Sequence, residues 1–488
     1  MKKGILGIIL SIFAVCVYAQ MPPTEVDALR FSQASGLYGT ASSVGKGGAI
    51  GALGGDLSSA ISNPAGLGVF SRSEISYSPM WQWNSTTAKY GRTEDIHDDH
   101  SGRFGTFSSV FTFKNNNESS GFKAIQFGLG TNRINHFNNQ INISGKSNVS
   151  MAEEWAYQAN GTDYDRLDVF STDLAFWTYV IDTIPGSINQ YRPTLSGDVR
   201  QRKIIEEEGG VWDYNFSFAA NYQDFLYMGA TVGIPTLEYK RVSRYKEREV
   251  NGNNEFTYKE TNEVEGTGVN LKLGVIVRAL DWLRIGAAYH TPTHYSVEDS
   301  YYVNMVSNID GQEYIARSTD YGNDGPSPTL EYTYRTPGKF LGSLAFVLGN
   351  QHTKIAGTLS ADYEYTNYSN IRYSSDENLH TTVNKWIKDY LKESHTVRVG
   401  GQMNFGKNAV RLGYVFSSSP YKIEEYESAK HSITGGLGYK SKWYYIDLAY
   451  AYTLKDSRTY ITEVWVPENE VKLRENKHNL ILTFGLRF

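Results

Sequence analysis

The chain's last ten residues, Asn479-Leu-Ile-Leu-Thr-Phe-Gly-Leu-Arg-Phe488, alternate in character. Leu480, Leu482, Phe484, Leu486 and Phe488 share one face, and Asn479, Thr483, Gly485 and Arg487 share the other. A strand turns successive side chains to opposite faces. An apolar face backed by a polar one, repeated along a chain, is the pattern of a closed barrel that meets lipid outside and water inside. No other feature limits the fold as strongly.

The alternation recurs. Tyr214, Phe216, Phe218 and Tyr222 alternate with Asn215, Ser217, Asn221 and Gln223. Leu359, Tyr363 and Tyr365 alternate with Thr358, Ser360, Asp362 and Glu364, and Tyr444 to Tyr452 repeats the pattern. About fourteen such segments follow one another, an even number as single-chain bacterial barrels require. Their connections alternate as well. Short turns fall near Asn115–Ser120, Asp224, Asp281, Gly349–His352, Gly406–Asn408 and Lys440–Lys442. Longer segments fall near Asn84–Ser101, Lys146–Glu208, Glu249–Glu255, Met305–Pro328, Ser369–Ser394, Ser417–Lys430 and Leu454–Asn476. Short turns at one end and long loops at the other suit an outer-membrane barrel with both termini periplasmic. The expected fold is all-β: a transmembrane antiparallel β-barrel of about 14 strands.

The N-terminus agrees. Lys2 and Lys3 precede an apolar stretch from Ile5 to Val17, and Val17-Tyr18-Ala19 resembles a cleavage site. Residues 1–19 read as a secretory signal peptide, too short to anchor in a bilayer. Cys16, the only cysteine, would leave with it, so disulfides and thiolate chemistry are excluded from the mature chain. Phe488 resembles the C-terminal sorting signal of bacterial outer-membrane barrels, which implies delivery by the outer-membrane barrel assembly machinery and a Gram-negative outer-membrane location. Mean hydropathy is −0.43, yet aromatics make up 14% of the chain, with 36 Tyr and 9 Trp. Aromatic girdles at both membrane interfaces account for that combination. Net charge is −5, which gives no footprint for nucleic acid.

Two long loops carry helical signals. Ser374-Ser375-Asp376-Glu377 fits a capping box ahead of Val383, Trp386, Ile387 and Tyr390. Ala152 to Ile181 holds Trp155, Leu167, Phe170, Leu174, Phe176 and Trp177. Such helices either pack over the barrel mouth as lids or collect a greasy ligand from outside.

Residues 20–68 form no strand pattern; small residues dominate, which suits close packing in a confined space. A barrel of about fourteen strands leaves a lumen to be plugged. A compact segment ahead of the first strand is a natural hatch, with the barrel proper at 69–488. The run Gly45-Lys-Gly-Gly-Ala-Ile-Gly-Ala-Leu-Gly-Gly-Asp-Leu-Ser-Ser-Ala-Ile-Ser-Asn-Pro-Ala-Gly-Leu resembles the hatch of FadL/TodX outer-membrane transporters. The resemblance is sharp over residues 27–68, fair at the C-terminus and architectural between. It assigns the hatch motif to Gly47, Gly48, Gly54, Gly55, Asp56, Asn63, Pro64, Ala65 and Gly66. It implies passive uptake of hydrophobic small molecules, of long-chain fatty acid or aromatic hydrocarbon type, with no cofactor. In the family a kink in the third strand opens a lateral exit, for which Gly128, Gly130 and Asn132 are the candidates here.

On the inward face Lys272, Arg278, Arg284, Arg398 and Arg411 are candidates for a carboxylate headgroup, since Arg grips carboxylate in a bidentate fork. The plainer reading is that they pair with Asp362, Glu364 and Asp447 across a wet lumen. An enzyme is not expected: no G-x-S-x-G elbow surrounds a serine. His97 and His100 lie in a loop beside Asp98 and Asp99 and form no designed metal site. The partners expected are outer-membrane lipid and a hydrophobic ligand, with no nucleic acid. An alternative role is as a partner of secretion or surface-attachment machinery.

Overall fold

The computed structural model describes residues 23–33, 37–115, 121–195, 197–320, 329–349, 355–375, 380–462 and 469–488. The signal-peptide reading, with Cys16 and Ala19, lies outside them.

Fourteen strands form the wall. They are β1 (Glu74–Tyr90), β2 (Thr93–Lys114), β3 (Phe122–His136), β4 (Val199–Tyr222), β5 (Leu226–Glu249) and β6 (Glu255–Leu280). Next come β7 (Leu283–His290, resuming at His294–Ile309) and β8 (Thr329–Arg335, resuming at Lys339–Leu348). The last six are β9 (Ile355–Asn367), β10 (Glu393–Phe405), β11 (Asn408–Ser417), β12 (Lys430–Lys440), β13 (Tyr444–Tyr460) and β14 (Glu470–Arg487). Each pairs antiparallel with its neighbour in sequence. β14 then pairs back onto β1, from Glu74↔Arg487 to Tyr90↔Val471, so the sheet closes. Closure removes the sheet edges that hydrocarbon could not satisfy.

The outward belt is apolar. Tyr214, Phe216 and Phe218 are exposed, while Asp213, Asn215 and Ser217, which alternate with them, are buried. Leu344, Leu359, Val399, Leu412, Ile433, Leu448 and Phe484 continue the belt around the wall. Its short-turn rim carries Phe225, Trp282, Phe405, Trp443 and Phe488, an interfacial aromatic girdle.

The strands run further than the alternation suggested. Asn84–Ser101 is not a loop: β1 and β2 stay paired up to Tyr90↔Thr93. β7 likewise reaches Ile309 and returns as Gln312–Arg317, with 321–328 outside the described residues. These extensions rise above the belt, where water bathes both faces and no apolar alternation marks a strand. The Ala152–Ile181 stretch is not one helix but α3 (Met151–Ala159) and α4 (Thr172–Trp177), numbered after α1 (Glu25–Ser32) and α2 (Ala41–Val44). Gly161, at φ +92°, lies in the turn that follows α3. α5 runs from His380 to Tyr390; Asp376 and Glu377 of the expected capping box lie outside the described residues.

The helices pack as lids. Trp155 and Leu174 are buried against Tyr245, Phe256, Tyr258 and Met305 of the upper wall. Val383 and Ile387 of α5 join Leu29 and Phe31 of α1 in a second core with Tyr239, Tyr295 and Tyr334.

Candidate functional site

The N-terminal segment threads the lumen from α1 down to Phe70. Thr24 caps α1 in a reciprocal box with Asp27. Tyr334 Oη donates to Ala28 O at 2.6 Å, and Asn135 Nδ2 donates to Arg30 O and Gln33 O, both at 2.9 Å. Lower down, Ala41 N donates to Thr483 Oγ1 (2.7 Å) and Gly51 N to Asp362 Oδ2 (2.9 Å). His290 Nε2 meets Ser62 O at 2.7 Å, and Ser360 Oγ donates to Ala49 O at 2.6 Å. The segment has little regular structure, so the wall supplies partners its backbone would otherwise lack.

The motif residues explain themselves locally. Gly47, Gly48, Gly54 and Gly55 all sit at φ between +62° and +73°, a region that side chains with a Cβ avoid. Asp56 accepts from Thr40 Oγ1 and Ser58 N and caps the 3₁₀ turn Leu57–Ile61. Asn63 Oδ1 accepts from Ala65 N, capping the 3₁₀ turn Pro64–Val69 with Pro64 in its first position. The Asn63 amide meanwhile donates to Gly51 O (2.7 Å) and Val275 O (3.2 Å). One side chain thus caps a turn, ties the segment to itself and ties it to β6. A Cβ on Gly66 would meet Ser59 at 2.4 Å.

Sequence reasoning passed over the wall's own glycines. A Cβ at Gly229 would lie 2.3 Å from Pro64 C, at Gly274 1.9 Å from Asn63 Oδ1, and at Gly286 2.5 Å from Gly51 O. At Gly400 it would lie 2.2 Å from Lys46 O, and at Gly413 2.3 Å from Gly47 N. These are sockets for the segment, filled by the Asn63 side chain at Gly274 and by backbone at the other four. Their signal was present, since an isolated strand glycine marks close approach, but sequence does not name what approaches.

The candidate cations are already engaged. Lys272 Nζ pairs with Asp213 (2.8 Å), Arg398 with Glu364 (2.9 Å) and Arg411 with Asp447 (2.7 Å). Arg278 pairs with Asp281 in the short turn (3.0 Å), and Arg284 donates to Leu53 O of the segment. The carboxylate partners lie on the same or a nearby strand rather than across the lumen, and Asp362 accepts from Gly51 N instead of from one of these cations. His97 and His100 lie in a strand rather than a loop, on opposite faces of β2, opposite Thr86 and Trp83.

Among the described residues, the β2–β3 ladder stops short of the strands' upper ends. β2 and β3 pair from Lys114↔Ala124 only as far as Thr106↔Asn132. Above that point β3 shifts register against β4 between Arg133 and Asn135, and the chain continues as Asn139–Ser147, paired to β4 and not to β2. β2 stays paired to β1 alone over residues 93–103. Side chains bridge the gap: Arg103 Nη1 donates to Asn138 Oδ1 (3.1 Å) and Ser144 Oγ to Asp95 Oδ2 (2.8 Å). On the lipid side the Phe104 ring lies 5.7 Å from Trp212, and the Arg133 guanidinium covers that indole at 5.2 Å. A cavity of about 350 Å³ opens at this seam, lined among others by His97, Asp99, Asn139, Glu206 and Lys240. Gly128, Gly130 and Asn132 lie within the paired part of β3, Asn132 in its last pair with β2, and the register shift against β4 follows between Arg133 and Asn135. Gly128 makes room for Leu67, and Gly130 for Ser108 and Asn215.

No family model matches the chain, and no curated relative does either. Solved structures do. A Pseudomonas aeruginosa FadL homologue superposes with a TM-score of 0.54 at 12% identity, over 93% of this chain and 100% of that one. The P. putida toluene transporter TodX gives 0.54 at 12%, covering 93% and 99%. The CymD monoaromatic hydrocarbon channel gives 0.51 at 12%, covering 93% and 99%. By fold this chain is a FadL/TodX-type barrel.

Proposed function

We propose that the protein is an outer-membrane channel for passive uptake of hydrophobic small molecules, of long-chain fatty acid or aromatic hydrocarbon type. The observation that carries this reading is the break between β2 and β3. A closed barrel has no reason to forgo backbone pairing in a membrane, where an unpaired group costs several kcal/mol. Here the ladder stops at Thr106↔Asn132, beside the segment that fills the lumen. A hydrophobic solute that leaves sideways enters lipid without crossing water. Residues 27–68 act as the hatch, and the glycine sockets hold it shut. The cations Lys272, Arg278, Arg284, Arg398 and Arg411 would receive a carboxylate only by exchanging their present partners.

The test locks the break. Arg103→Cys with Asn138→Cys places two thiols where the side chains now touch. Oxidation should cut cellular uptake of radiolabelled oleate and toluene roughly tenfold, and reduction should restore it. Uptake of both equal to that of cells lacking the barrel would overturn the reading.

A further inference from the structure

Six consecutive strands carry an alternating aromatic pattern on their outer face. Tyr363 of β9 bonds His395 Nδ1 of β10 at 2.7 Å. Tyr414 of β11 bonds His431 Nδ1 of β12 at 2.8 Å, and Tyr450 of β13 bonds His478 Nδ1 of β14 at 2.6 Å. A second ring flanks each imidazole: Tyr365 at 5.7 Å, Phe416 at 5.4 Å and Tyr452 at 4.9 Å. The order Tyr–His–Tyr–His–Tyr–His runs without interruption from β9 to β14. Three of the chain's 10 histidines lie in it, so half the pattern is built from a residue the aromatic girdle does not need.

The pairs stand at the upper edge of the apolar belt. One step toward the short turns lie Val397, Leu412, Ile433 and Leu448, all exposed. One step the other way lie Glu393 and Asn476, with the ion pair Arg474–Asp456 beyond. Each neutral pair holds two donors, the phenol O–H and one imidazole N–H, and spends one of them internally. Whichever tautomer is present, one donor per pair is left facing the membrane. A donor in hydrocarbon costs several kcal/mol, so these donors need acceptors at this depth. Repeating every second strand, they stand about 10 Å apart. An ionised acceptor gives the stronger hydrogen bond.

We propose that this band binds the phosphate groups of outer-leaflet lipid, with one Tyr–His pair per phosphate. The same register fixes a depth. His478 lies opposite Trp83 on β1, and the wall break begins beside Ser78 and Met80 of that strand. Anchoring the band at the phosphates therefore holds the break roughly 10 Å deeper, among the acyl chains.

The full-length barrel, extracted from outer membranes in a mild detergent, is assayed by native mass spectrometry for retained phosphorylated glycolipid. With both members of every pair replaced by Phe (Tyr363, His395, Tyr414, His431, Tyr450 and His478), which removes every phenol O–H and imidazole N–H of the band, the retained lipid should fall at least fivefold, with heat-modifiable mobility confirming a folded barrel. Retention within twofold of the parent overturns the proposal. Wild-type barrel in nanodiscs gives a measurement that needs no variant. It should enrich phosphorylated glycolipid over the enzymatically dephosphorylated form at least fivefold, and equal retention of both overturns phosphate recognition.

Discussion

Two seams of one wall differ sharply. Between β4 and β5 the ladder runs unbroken from Tyr222↔Leu226 to Val199↔Glu249, the full 24 residues of each strand. Between β2 and β3 it ends at Thr106↔Asn132, and side chains carry the rest. A backbone ladder ties every residue pair in the same way, so opening it breaks many bonds together. A seam held by Arg103–Asn138, Ser144–Asp95 and the Phe104–Trp212–Arg133 stack opens a few contacts at a time. Net hydrogen bonds contribute about 0.5–1.5 kcal/mol each, so opening here is far easier than at the β4–β5 seam. A barrel can be rigid and still have a weak place, if one strand leaves the wall.

The contrast between wall and lumen segment breaks first under deletion. Removing residues 27–62 should leave the barrel folded and raise single-channel conductance to small polar solutes roughly tenfold or more. Unchanged conductance would end the plug reading. Next in size is the buried ion pair. Arg411→Met strands Asp447 and should cost about 3–5 kcal/mol, whereas Arg244→Met, at an exposed pair with Glu206, should cost under about 1 kcal/mol. Chemical unfolding of the two variants side by side sharpens the comparison, and equal losses would erase it.

Wall glycines divide the same way. Gly274→Val drives its side chain into Asn63 and should destabilise by about 1–3 kcal/mol, with the segment losing hydrogen-exchange protection first. Gly342→Ala meets nothing within 4 Å and should change the unfolding midpoint little. Asn63→Ala removes one cap and two bonds to the backbone, a loss of about 1–2 kcal/mol read as faster exchange over 51–66.

The smallest effect lies in the lids above the membrane. Burial lifts the Glu154 carboxyl to about 7, although Thr462 and Asn469 donate to it. Burial lifts Asp173 of α4 to about 7 as well. The folded lid therefore binds more protons than the unfolded one between about 4.5 and 7. Lid stability should rise as pH falls from 7.5 to 5, and fade as pH climbs past 7. Hydrogen exchange of α3 measures this, and Glu154→Gln should flatten much of the profile. A lid whose protection is the same at both pH values would contradict the assignment.

How much was legible follows the solvent. Where lipid faced one side and water or the lumen the other, as at Tyr214–Phe218 or Leu480–Phe488, alternation identified each strand and its direction. Above the belt the same strands meet water on both faces, and Asn84–Ser101 read as loop. The turns of the lumen segment were legible because its glycines answer to local backbone geometry and Asn63-Pro64 to a local cap. The sockets at Gly229, Gly274, Gly286, Gly400 and Gly413 were not, since each acquires meaning only from a segment brought to it from a distant part of the chain.

The sequence by itself determined a barrel, its number of strands, which face meets lipid and which end carries the loops. Those follow from a period of two and from hydrophobicity, which are local. Tertiary structure alone decided that Arg398, Arg411 and Lys272 are paired, that the β2–β3 ladder ends at Thr106↔Asn132, and that Tyr363, Tyr414 and Tyr450 each face a histidine. Register across strands decides these, and register is fixed only when the sheet closes on itself.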